Sequence, residues 1–181
     1  MGDTGEQAII DNLVIAINDV NTSLARMCCH LTRWSTTQAI VSLTSTAGTK
    51  ALPSVTIDCI PTGATILCVT ALFYAWVIEN TNGANNSLDG GSVAGISQVI
   101  QIRDGIPGDW YDAINFVDTQ YLLSKDEIAP GHILYGTVDI SGAGKVDGND
   151  TYEFQWLLAK CKLNDLIFRS IKVGLDIEYK V

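Results

Sequence analysis

The sequence predicts a mainly β protein, an antiparallel β-sandwich of jelly-roll type preceded by an N-terminal α-helix. Three observations predict this fold class. Apolar residues recur every three or four positions up to about residue 35, which is the period of a helix. Beyond residue 35, apolar and polar residues alternate, and clusters of Gly, Asn and Asp separate the alternating runs. We therefore assign residues 1–35 to a helix for self-association or docking and residues 36–181 to the sandwich domain.

The composition identifies a folded chain that is not built to bind nucleic acid. Of its 181 residues, 47% are hydrophobic and 17% are charged, a balance typical of a globular protein. The 20 acidic residues outnumber the 11 basic ones, and the net charge is −9. Because nucleic-acid affinity comes largely from Lys and Arg displacing counterions, we expect no DNA or RNA partner.

The N-terminal helix is predicted to begin at a capping box and to carry a coiled-coil seam. Thr4 and Gln7 have the spacing that satisfies the free backbone donors of a first turn. The apolar positions that follow are separated alternately by three and four residues, as in a heptad repeat. They are Ile10, Leu13, Ile17, Val20, Leu24, Met27, Leu31 and Trp34. Mixed Ile and Leu at a seam favour a homotrimer, although docking of the helix onto its own domain remains the alternative.

The longest uncharged stretch runs from Ile60 to Ile78 and has the length of a membrane span. It contains Pro61 and Gly63 and is rich in β-branched and aromatic residues, which favour strands. We therefore predict a long central strand and no membrane partner. The N-terminus has no basic region leading into an apolar core, so synthesis in the cytosol of the host cell is expected.

Seven further segments alternate like half-buried strands. They are Gln38–Thr44, Ser54–Cys59, Ser97–Arg103, Trp110–Val117, His132–Ile140, Thr151–Leu158 and Leu166–Tyr179. Residues Ala47–Pro53 are predicted to link the first two strands, and Glu79–Gly91 to form a long surface loop.

Cysteine usage indicates mostly buried thiols. The five cysteines show no CxxC spacing, so neither a zinc site nor a redox motif is predicted. Cys59 and Cys68 flank a turn and would lie on adjacent strands, which leaves open whether they form a disulfide.

No complete catalytic signature is present, and we expect a protein that is not an enzyme. His30 and His132 lie far apart in sequence, without a nucleophile motif near either. The segment Ser141–Val146 lacks the spacing of a phosphate loop and is predicted to be a hairpin turn. Asp147–Asp150 supplies oxygen ligands, but turn chemistry explains these residues, so no metal or other cofactor is predicted and calcium stays an open alternative.

One cluster has the composition of a ligand site. Trp110, Tyr111 and Asp112 place two aromatic rings beside carboxylates, as in many sugar-binding sites, although aromatic residues at a strand start are often part of a core. A carbohydrate- or receptor-binding module is therefore the alternative function. Paired carboxylates such as Asp104 and Asp109 keep a glycan hydrolase as a third hypothesis.

An apolar helix followed by an acidic sandwich without a catalytic set resembles the small structural proteins of tailed-virus particles, of the head decoration, cement or head-fibre type. The resemblance is one of architecture and covers both parts of the chain. It implies a homo-oligomer in the virion, bound to other virion proteins such as capsid subunits. By this interpretation the interface residues are Ile10, Leu13, Ile17, Val20, Leu24 and Met27.

Overall fold

The computed structural model describes residues 9–10, 12–18, 20, 28–80, 98–105, 108–115, 133–161, 163 and 166–181. The described part holds helical residues between 9 and 20, here named α1, and ten strands. The strands are β1 (Cys28–Trp34), β2 (Ala39–Leu43), β3 (Gly48–Ala51), β4 (Val55–Thr56), β5 (Thr65–Asn80), β6 (Val99–Asp104), β7 (Tyr111–Asn115), β8 (Ile133–Asp139), β9 (Thr151–Ala159) and β10 (Leu166–Lys180).

The strands form two antiparallel sheets. In the first sheet β10 pairs with β5 along its whole length, while β2 and β1 pair end to end with its other edge and β8 pairs with β5. In the second sheet β9 pairs with β3 and β4 on one side and with β6 on the other, and β7 pairs with β6. The predicted antiparallel sandwich is confirmed.

The core lies between the inner faces of the two sheets. Trp156 of β9 is fully buried, with ring centroids 5.8 Å from Phe73 of β5 and 5.5 Å from Phe168 of β10. These three rings join the sheets, and the Phe73 pair has the edge-to-face geometry that aromatic quadrupoles favour. Alternate residues of β9 and β10 fill the remaining space, so the period of two in the sequence becomes an inner and an outer face.

Several strands agree closely with their predicted positions. The apolar stretch Ile60 to Ile78 contains most of β5, whose central residues are buried on both faces as predicted. Among the described residues, no helix has the length and apolar character needed to cross a bilayer. The segment predicted to link the first two strands contains β3, and Ser141–Ala143 forms a single 3₁₀ turn that ends at Gly144 in the left-handed region.

The predicted helix extends too far. Its last predicted seam residues, Leu31 and Trp34, lie in β1, which pairs with β10 at seven positions from Cys28 to Trp34. The predicted boundary at residue 35 therefore falls after the first strand of the sandwich. The three-and-four spacing continues into this segment, but pairing with β10 overrides it, because the pairing satisfies backbone groups along the whole segment.

The cysteines are less buried than predicted. Of the four that are described fully, only Cys161 is buried, while Cys59 is exposed and Cys29 and Cys68 are intermediate. All four are free thiols, so Cys59 and Cys68 are not bonded to each other. The Cys59 sulfur accepts a hydrogen bond of 3.0 Å from the Arg33 guanidinium.

Candidate functional site

The first candidate site is the apolar surface of α1. The four predicted interface residues that are described have exposed fractions of 53% for Ile10, 59% for Leu13, 50% for Ile17 and 57% for Val20. Leu24 and Met27 lie outside the described residues. Every other described side chain of α1 is exposed too, so the described part of the sandwich does not cover this helix.

The exposed surface of α1 is large in energetic terms. Fully burying a Val, Leu or Ile side chain stabilises a protein by about 1.5 to 3 kcal/mol relative to leaving it in water. Ile9, Val14 and Ile15 are 50% to 67% exposed as well, so the apolar stripe is wider than one seam. A wide stripe favours contact with more than one neighbouring helix.

The second candidate site is a groove on the outer face of the second sheet. It has a volume of about 480 Å³ and is bordered by β3, the segment after it, β6 and β9, with Trp110 at the start of β7. Its lining residues are Thr49, Ala51, Leu52, Ser54, Arg103, Trp110, Glu153, Phe154 and Gln155.

Arg103 fixes one end of the groove through two contacts. Its Nε donates a hydrogen bond of 2.5 Å to Oε2 of Glu153, and a terminal nitrogen contacts the same oxygen. Its guanidinium carbon lies 4.5 Å from the ring centroid of Trp110, a cation–π contact. Arg103 and Glu153 are opposite each other in the pairing of β6 with β9, which explains why the ion pair forms.

A ladder of amides continues across the same face. The Gln155 amide donates to Oε1 of Gln101 at 2.6 Å, and the Gln101 amide donates to Oδ1 of Asp112 at 2.6 Å. The ladder runs from β9 through β6 to β7, and it keeps each amide in one orientation. Gln155, which lines the groove, is therefore preorganised.

The three residues predicted to form a ligand site are divided between two surroundings. Trp110 lines the groove, and Asp112 ends the amide ladder beside it. Tyr111 pairs with Ile102 and packs in part against the core. Sequence reasoning missed Arg103, Gln101, Glu153 and Gln155, although polar residues two apart on a strand predict a shared outer face.

The acidic turn after the 3₁₀ segment has structural roles in the fold. Burial, then the charges of Asp147 and Asp150 together with a hydrogen bond to Asp150, raises the pKa of Asp104, which Lys145 partly opposes. Burial also raises the pKa of Tyr152 to about 12, and its hydroxyl donates to the Gly148 carbonyl at 2.8 Å. Within the described ranges, no group of three His, Cys, Asp or Glu residues is placed to hold a metal ion.

The described histidine has an acidic partner. Nε2 of His30 lies 3.0 Å from Oδ2 of Asp176, and the Thr32 hydroxyl donates to Oδ1 of the same carboxylate at 2.6 Å. The hydroxyl thus contacts the carboxylate and not the imidazole, which differs from the nucleophile, base and acid order of a hydrolytic triad. His132 lies outside the described residues.

Comparison with known proteins gives little. No family model matches the chain, and no curated protein matches it. One similar structure is that of infectious bursal disease virus, Gx strain, with a TM-score of 0.43 and 12% identity over 83% of this chain. This chain spans 32% of the viral chain. Another is the crystal structure of FLHE, with a TM-score of 0.34, 8% identity, and coverage of 84% of this chain and 98% of that one.

Proposed function

We propose that this chain is a non-enzymatic structural subunit of a virus particle. It self-associates through α1 as a homotrimer, and it decorates or stabilises the capsid or a virion appendage through contacts with other virion proteins. The observation that carries the proposal is the exposed seam of α1, in which Ile10, Leu13, Ile17 and Val20 are each at least half exposed.

Further copies of the same helix are the occupant that suits this seam best. The seam repeats every three and four residues, so identical helices cover it in register along their whole length. The sandwich has its own core, closed by Trp156, Phe73 and Phe168, and that core is formed without a contribution from α1. The helix is therefore available for association while the sandwich stays folded.

The strand order supports the jelly-roll form of the sandwich and, with it, the virion role. If β1 with β2 and β3 with β4 are each counted as one strand, the chain has eight strands in sequence. The first sheet then has the order first, eighth, third, sixth, and the second sheet has the order second, seventh, fourth, fifth. Two such four-stranded sheets are the arrangement of a jelly roll, an architecture that many capsid proteins use.

A particle-binding experiment tests the proposal. Particles are purified by density gradient from the virus that encodes this chain, and the chain is quantified in them by mass spectrometry. We expect the chain in stoichiometric amounts, and we expect Ile17→Asp to lower its incorporation because a carboxylate in the seam opposes helix packing. Ile15→Asp is the matched control, since Ile15 lies on α1 outside the seam and is 58% exposed.

Two results would refute the proposal. One is purified particles that lack the chain. The other is equal incorporation of the Ile17→Asp and Ile15→Asp variants, because the seam would then have no part in assembly.

A further inference from the structure

We propose that the groove beside Trp110 is a binding site for an uncharged oligosaccharide. The site is separate from the seam of α1 and lies on the outer face of the second sheet. It would give a subunit of an assembly a second property, the recognition of a glycan surface. The inference does not depend on the proposed structural role, because none of the lining residues belongs to α1.

The size and lining of the groove suit a small polar ligand. Its volume of about 480 Å³ falls within the range of about 300 to 1,000 Å³ that is usual for ligand sites. Apolar groups from Ala51, Leu52 and Phe154 share the lining with the hydroxyls of Thr49 and Ser54. A sugar presents the same mixture, with C–H groups on its ring faces and hydroxyls around its edge.

Trp110 supplies the flat surface on which a sugar ring can stack. The Arg103 guanidinium, 4.5 Å from the ring centroid, holds the indole in place. The guanidinium is itself held by Glu153, so the orientation of the indole is set before any ligand arrives. A rigid aromatic side chain loses little conformational entropy on binding, which favours the recognition of weakly interacting ligands.

The polar groups of the groove have hydrogen-bonding capacity left for hydroxyls. A side-chain amide has two N–H donors and one carbonyl acceptor. The ladder uses one N–H of Gln155, at 2.6 Å from Gln101. Arg103 has five N–H donors, and its contacts with Glu153 involve two of its nitrogens. Donors and acceptors therefore occur together, which matches the hydroxyls of a sugar.

The charges of the groove exclude an anionic ligand. Arg103 is the cation among the lining residues, and Glu153 neutralises it at hydrogen-bond distance. Asp112, at the far end of the ladder, adds a negative charge nearby, and the chain as a whole carries −9. A sialylated, sulfated or phosphorylated sugar would be repelled at long range and would find no free cation in the groove. An uncharged glycan meets neither obstacle.

The test is a glycan array of neutral and acidic oligosaccharides probed with the full chain, followed by NMR titration with the best neutral ligand. We expect neutral glycans to bind and to shift the indole N–H signal of Trp110. Trp110→Ala should weaken binding about tenfold or more, because it removes the stacking surface. Gln155→Ala should also weaken binding, and its exposed position makes it a second probe that leaves the core intact.

Trp76→Ala is the matched control, because Trp76 is 42% exposed on the first sheet, away from the groove. It should leave binding unchanged. The proposal is overturned if no neutral glycan binds, if only acidic glycans bind, or if the neutral ligand binds equally well to the Trp110→Ala and Gln155→Ala variants. Loss of glycan binding in a chain that still assembles would separate this site from the seam of α1.

Discussion

Asn149 and Ile60 are joined by two hydrogen bonds, although 89 residues separate them. The backbone N–H of Ile60 donates to Oδ1 of Asn149 at 2.8 Å, and Nδ2 of Asn149 donates to the Ile60 carbonyl at 2.8 Å. The amide thus connects the turn before β5 to the turn before β9. It gives Asn149 a structural role in the segment that the sequence left open as a calcium site.

Replacing Asn149 should destabilise the sandwich. Asn149→Ala removes both bonds and leaves the N–H and carbonyl of the buried Ile60 without these partners, so the free energy of unfolding should fall by about 2 kcal/mol. Urea denaturation at fixed protein concentration measures the change. Asp58→Ala, at an exposed position in the same turn, should change it by less than about 0.5 kcal/mol. Equal effects of the two variants would refute the structural role.

Gly174 allows β1 to lie against β10. A Cβ at this position would be 2.9 Å from the Arg33 carbonyl oxygen and 3.0 Å from two ring carbons of Trp34. Gly174→Ala should therefore lower the free energy of unfolding by about 1 to 3 kcal/mol, since the backbone carbonyl cannot rotate away. Gly142→Ala meets nothing within 4 Å and is the control. Thermal unfolding of both variants checks the prediction, which fails if Gly174→Ala is as stable as Gly142→Ala.

Ser170 carries backbone strain that glycine would relieve. Its φ of 54° lies in the left-handed region, at the position where the register of β10 shifts against both β2 and β5. Ser170→Gly should raise the free energy of unfolding by about 1 kcal/mol, because the left-handed conformation costs a side chain more than it costs glycine. Ser42→Gly, in regular strand β2, should lower it instead. A loss of stability in Ser170→Gly would contradict the prediction.

Asp104 should make stability depend on pH in a recognisable direction. Because its pKa is raised in the folded state, the folded chain takes up a proton before the unfolded chain does as the pH falls. The free energy of unfolding of the natural protein, relative to Asp104→Asn, should therefore increase as the pH falls through the raised pKa. It should level off below the ordinary value of 3.8. Chemical denaturation across acidic pH measures the difference, and a pH-independent difference would refute the assignment.

The sandwich could be predicted from the sequence because its signal is local. In β9 the alternation of Tyr152, Phe154 and Trp156 with polar residues fixes an inner and an outer face without knowledge of the partner strands. The same reasoning failed at β1, where Leu31 and Trp34 continue the spacing of the helix. Only the pairing with β10, almost 150 residues further on, makes that segment a strand.

The groove was predicted only in part, for a related reason. Trp110 and Asp112 were found because they are close together in sequence. Arg103 and Glu153 lie 50 residues apart, and their ion pair follows from the register of β6 against β9, which the sequence does not state. Asn149 was misassigned on the same ground, because its partner Ile60 is distant in sequence.

Light scattering during gel filtration, which gives the mass of the chain in solution, tests the role of α1 most directly. We predict that the full chain has the mass of three subunits, that Ile17→Asp has the mass of one, and that Ile15→Asp keeps the mass of the full chain. A full chain with the mass of one subunit at all concentrations would contradict self-association through α1. A trimer that persists in the Ile17→Asp variant would contradict the seam as its interface.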